Sequence, residues 1–62
     1  MNRQEIEEKI LKEKKTLSKE QWLELYEQAL KLEKTEFEKF KRTLAGRILA
    51  QVGGYYKSIL EN

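Results

Sequence analysis

The side chains in this sequence that are able to do acid–base or metal chemistry are almost all glutamates. Glu24 with Glu27, and Glu33 with Glu36 and Glu38, are spaced to set carboxylates side by side on a helical face. General acid–base pairs and divalent-metal sites use that arrangement. Nothing in the chain completes it. The 62 residues include no histidine and no cysteine, and all 11 acidic residues are glutamate. A Ser–His–Asp triad, a Cys–His pair, a haem-ligating histidine or a structural zinc site therefore has no donors. The Glu-x-x-His motif of di-metal carboxylate bundles is missing, as is a glycine-rich loop leading into lysine and serine. Ordinary helical ion pairing, Glu27 with Lys31 and Glu8 with Lys12, accounts for the carboxylates. The expectation is a protein that is not an enzyme, with no cofactor, no metal and no small-molecule substrate.

Recognition is the chemistry that remains, and charge gives its first sign. Residues 1–38 hold Arg3 and seven lysines against ten glutamates, a net of −2. From Lys39 to Leu60 there is no acid, while Lys39, Lys41, Arg42, Arg47 and Lys57 contribute +5; Glu61 brings the total to +2. An internal cause would be a neighbouring acidic helix face, Glu20, Glu24 and Glu27, aided by the helix dipole's preference for late cations. The external cause is an acidic partner: phosphate backbone, anionic lipid or a protein patch. Nucleic acid usually recruits more than five cations and a recognisable motif. No homeodomain, zinc-finger, RRM or KH pattern is present, and the basic segment is apolar around too much of its circumference to lie freely in a groove. Protein is the expected partner.

Small residues give the second sign. Gly46, Ala50 and Gly54 recur at spacing four, which on a helix forms a shallow seam open to another backbone. Opposite them run Phe37, Leu44 and Ile48, flanked by Ala45 and Leu49. Residues 44–56 are thus apolar or small nearly all round, and such a helix needs two sets of neighbours. The thin face of Ile6, Ile10 and Leu11 supplies only one. The candidate partner contacts are Trp22, Arg42, Gly46, Arg47, Leu49, Ala50, Gly54, Tyr55, Tyr56 and Lys57. Trp22, Tyr55 and Tyr56 serve as anchors, and Arg42, Arg47 and Lys57 orient the chain on an acidic-rimmed apolar groove. A membrane-surface helix is the weaker alternative, suited by the tyrosines and cations but not by the polar first two-thirds of the chain.

These residues must be positioned by helices. The composition is rich in lysine, glutamate and leucine, with no proline and three glycines, which favours helix nearly throughout. A first helix is expected over about 3–15, acidic early and basic late, as the macrodipole prefers. Ser18 followed by Gln21 is a capping box, with Leu17 placed to staple against Trp22, so a second helix covers 19–33. Residues 22–32 resemble the Tyr-x-x-Ala-Leu helix of a tetratricopeptide repeat, through Tyr26, Ala29 and Leu30. That family's period of about 34 residues cannot be laid down twice here. Thr35 and Glu38 repeat the start pattern and open a third helix, 36–52. The rival is one long bent helix, because Trp22, Tyr26, Leu30, Phe37, Leu44, Ile48, Tyr55 and Ile59 keep a common phase. Gly53-Gly54 reads as a stop, since two helix-interior glycines cost roughly 2 kcal/mol relative to alanine. A short tail, 55–61, follows. The expected core is Ile10, Leu17, Trp22, Tyr26, Leu30, Phe37, Phe40, Leu44, Ile48, Val52 and Tyr55.

The sequence therefore sets out an all-α fold, a helical hairpin or three-helix arrangement in one small domain spanning 1–62, self-associating. The N-terminal residues lack the apolar core of a secretory signal, and no window of about twenty apolar residues spans a bilayer; a cytoplasmic location is expected. The expected function is a small protein-interaction module or regulator, comparable in size and composition to small bacterial or phage regulators. It would offer an apolar and basic C-terminal helical surface to a copy of itself or to a larger protein. The alternative is a small basic-helix nucleic-acid-binding protein.

Overall fold

Each break in the chain carries its own cap, and the caps define the elements. The computed structural model describes residues 1–61, the last by its backbone alone. It holds four helices and no strand among those residues: α1 (Arg3–Glu13), α2 (Lys19–Leu30), α3 (Lys34–Lys41) and α4 (Leu44–Glu61). The all-α expectation holds, with one helix more than the three-helix arrangement.

α1 begins at a capping box the sequence reading passed over: the Glu5 amide donates to Asn2 Oδ1 at 2.9 Å, and the Asn2 amide donates to Glu5 Oε1 at 3.1 Å. α2 begins where expected. The Gln21 amide donates to Ser18 Oγ at 3.2 Å, and the Ser18 amide to Gln21 Oε1 at 2.8 Å. Leu17 is half-buried against the core beside this start, as the staple requires. α3 starts two residues before the expected 36, capped by Glu33 rather than Thr35. The Glu33 carboxylate accepts the Thr35 amide at 3.2 Å, and this bond holds its pKa below the ordinary 4.5.

The largest departures lie after residue 41. The expected helix 36–52 is two helices, broken at Arg42-Thr43. Thr43 caps α4: its Oγ1 accepts the Gly46 amide at 3.0 Å and donates to the Phe40 carbonyl at 2.8 Å. The expected stop at Gly53-Gly54 and the separate tail 55–61 are absent; α4 runs through both glycines with no positive φ. The reason is packing. A Cβ on Gly53 would sit 2.5 Å from Tyr26 Cδ2, so the missing side chain is what lets α2 and α4 cross closely. That contact offsets glycine's poor helix propensity.

α4 is the hub, packing against α1, α2 and α3, most extensively against α2. The core is Ile6, Ile10, Trp22, Leu25, Ala29, Phe40, Ala45 and Leu49, with Leu17, Tyr26, Leu32, Ile48, Val52 and Tyr56 half-buried around it. Three expected core residues are outside: Leu30 is 51% exposed, Leu44 64% and Tyr55 64%. Their common phase with Trp22 assumed an unbroken helix, and the turns at 31–33 and 42–43 reset it.

Candidate functional site

The caps and the two packed glycines fix the rotation of α4 about its axis. Gly46 is held hardest: a Cβ there would lie 1.9 Å from the Phe40 carbonyl oxygen. Gly46 and Gly53, seven residues apart, are two turns along one side of the helix, and both are buried against the rest of the chain. The seam expected at spacing four is therefore replaced by an internal one at spacing seven. Gly54 has nothing within 4 Å of a would-be Cβ, and Ala50 is exposed.

With that side inward, Ala45, Leu49, Val52 and Tyr56 complete the packed face. Leu44, Ile48, Tyr55 and Ile59 fall on the next sector, within about 60° of one another at 100° per residue. Ile48 is half-buried, while Leu44 and Tyr55 are largely exposed and Ile59 is 47% exposed. This apolar stripe faces solvent at Leu44, Tyr55 and Ile59 and turns partly into the core at Ile48. Tyr55 and Tyr56 touch at the tail end, ring centroids 5.7 Å apart.

The other expected contacts separate into two groups. Trp22, Gly46 and Leu49 are buried and are not surface contacts. Arg42, Arg47, Ala50, Tyr55 and Lys57 are exposed, and Gly54 and Tyr56 are half-buried. Leu44 and Ile59 join the surface although sequence reasoning had not placed them there. The readable signal for them was Thr43 with Gly46, a cap whose N3 residue is glycine rather than glutamate or glutamine.

Among the described residues the charge segregation is compensated only in part, at Lys39 and Lys41. Among the described residues the five ion pairs are Arg3–Glu7, Arg3–Glu36, Lys9–Glu13, Lys39–Glu36 and Lys41–Glu38. None includes Arg42 or Arg47, and none includes Glu20, Glu24 or Glu27. The acidic face of α2 makes no ion pair with the basic segment among the described residues, although Glu27 and Lys57 line one groove between α2 and α4. Lys57 Nζ lies 5.4 Å from the Tyr26 ring centroid, a cation–π position. Of the paired carboxylates, Glu33 is a cap and Glu36 and Glu38 are in ion pairs, which engages them structurally.

A concave feature lies on the far side of α4. Tyr26, Leu30, Phe37, Phe40, Lys41 and Ala50 line an apolar groove of about 230 Å³ between α2, α3 and α4. Lys41 at its edge is 5.3 Å from the Phe37 ring centroid and 3.3 Å from Glu38 Oε1. No group of three acids able to hold a metal occurs among the described residues, and none of their helices is long and apolar enough to cross a membrane. Comparison with protein-family models, curated proteins and solved structures finds no match for this chain.

Proposed function

We propose that this chain is a small protein-interaction module whose working surface is the outward face of α4. One observation carries the reading: Leu44, Tyr55 and Ile59 stand exposed in line on a helix whose adjacent face already closes the core. Each withholds roughly 1 kcal/mol of burial free energy at about half exposure, so a partner that covers all three gains about 3 kcal/mol. Arg47, about a quarter-turn from this stripe, and Arg42, in the turn before α4, are exposed and free of ion pairs among the described residues, and they suit acidic groups on a partner. A cytoplasmic partner is expected.

The test is a photo-cross-linking residue in place of Tyr55. Protein adducts that survive about 0.5 M salt and disappear in the Leu44→Glu background support the proposal. The same two cations, with Lys57, favour phosphate contact as the second reading. Nucleic-acid adducts, with binding that falls steeply as salt rises, would replace the first reading by the second.

A further inference from the structure

We infer that the occupant of the α4 face is a second copy of this chain, docked with its own α4 antiparallel across a two-fold axis. The inference rests on the reading above that this face binds protein. The stripe reads the same from either end: four, seven and four residues separate Leu44, Ile48, Tyr55 and Ile59. Reversing a second α4 sets Leu44 opposite Ile59 and Ile48 opposite Tyr55, and the symmetry repeats both pairings. A closed two-fold interface requires a patch complementary to itself, and this one is.

The polar groups do not oppose that partner. No charged residue lies within the stripe. Gln51, the polar residue nearest its midpoint, meets its own copy close to the axis, where two side-chain amides each donate and accept. Arg47 lies about a quarter-turn from the stripe, and the residue brought opposite it on the rim is Ser58 of the copy. Lys57 is turned the other way, over Tyr26. Like charges therefore do not confront each other, although each chain carries a net +2.

Area sets the strength. α4 has 18 residues, about 27 Å at 1.5 Å per residue, which nearly matches the molecule's longest extent of 31 Å. A strip that long and one helix wide projects to on the order of 270 Å² per copy, small beside the ~800 Å² per partner of a standard interface. The dimer is accordingly weak and reversible rather than a permanent one.

Sedimentation of the full chain from about 10 µM to about 1 mM should show its mass rising from 7.5 kDa toward twice that. The midpoint should move less than about twofold between low and high salt, because the buried stripe is uncharged. Tyr55→Glu, at an exposed position outside the core, should weaken association at least about tenfold while leaving the helical circular dichroism unchanged. Register is testable because the chain has no cysteine. Leu44→Cys chains mixed with Ile59→Cys chains should join through a short thiol cross-linker. Leu44→Cys alone should not, since its two copies lie about 22 Å apart along the helices. A chain that stays monomeric at about 1 mM overturns the second-copy inference, while Tyr55 photo-adducts to a different protein would keep the interaction reading. Efficient Leu44→Cys self-cross-linking overturns the antiparallel arrangement. A dimer indifferent to Tyr55→Glu overturns the inference and removes the α4 surface with it.

Discussion

Gly53 and Gly54 are adjacent in one helix, yet alanine at each should act with opposite sign. Both have helical backbone with no positive φ, so alanine is conformationally acceptable at either, and each replacement recovers about 0.8–1.0 kcal/mol of helix propensity. At Gly54 that gain stands alone, because nothing lies within 4 Å of the new methyl group. At Gly53 the methyl would meet Tyr26 Cδ2 at 2.5 Å and Tyr26 Cβ and Cγ at 3.1 Å. The Cβ contact is the harder one, since rotating the ring does not move that atom. α2 must shift away from α4, and overpacking of that kind costs roughly 1–3 kcal/mol. The net for Gly53→Ala is then about 0–2 kcal/mol destabilising, against about 0.8–1.0 kcal/mol stabilising for Gly54→Ala.

Thermal unfolding followed by circular dichroism reads the difference directly. One kcal/mol moves Tm by about 4–8 °C in a domain of this size, so Gly54→Ala should raise Tm by about that much and Gly53→Ala should leave it unchanged or lower it. Urea titration of the same pair should shift the midpoint without changing the slope. If Gly53→Ala stabilises as much as Gly54→Ala, α4 does not pass Tyr26 at this range. The rotation that turns Leu44 and Tyr55 outward would then lose one of its two glycine supports.

Three further outcomes follow from named contacts. Thr43→Val keeps the side chain's shape but removes the hydroxyl that bonds both the Gly46 amide and the Phe40 carbonyl; urea unfolding should show a loss of about 1–2 kcal/mol. Leu49→Ala, in the core, should cost about 2–5 kcal/mol, whereas Leu44→Ala, on the exposed stripe, should cost under about 0.5 kcal/mol in the monomer, measured at low protein concentration. Glu33 has a folded pKa below 4.5, so its support of α3 is present above that pH and is lost as pH falls through the lowered value. The Thr35 amide shift should follow that titration by NMR, and Glu33→Gln should abolish it.

Local signals in the sequence were read well where a side chain announced itself. Ser18 with Gln21 placed the start of α2 to the residue, and Ile10, Trp22 and Phe40 were rightly placed in the core. Long-range phase was read poorly. Carrying one 100° period across the chain put Leu30, Leu44 and Tyr55 inside, because the turns at 31–33 and 42–43 contain neither glycine nor proline to mark them. Ile6, Leu25, Ala29, Ala45 and Leu49 are also core but were not expected there. Ala29 and Ala45 are small, and a search for large apolar residues passes over positions whose value is close approach. The glycines were misread for a related reason. Gly53 looked like a stop because its propensity cost is visible in sequence, while its contact with Tyr26, twenty-seven residues earlier, is not.

The distribution of side-chain size in α4 is what ties the fold to the surface. Alanine and glycine occupy much of its inward side, at Ala45, Gly46 and Gly53, while Leu44, Tyr55 and Ile59 stand outside. A chain shaped only by the stability of its monomer would tend to the reverse, since small domains have little apolar area to spare and large side chains bury the most. The helix cannot simply roll to correct this. Rolling it by a quarter-turn would pull Gly46 from the Phe40 carbonyl and Gly53 from Tyr26, setting side chains where only a glycine fits. The two glycines thus hold the apolar stripe outward at a cost in monomer stability. On the proposed function, contact with another protein is what recovers it.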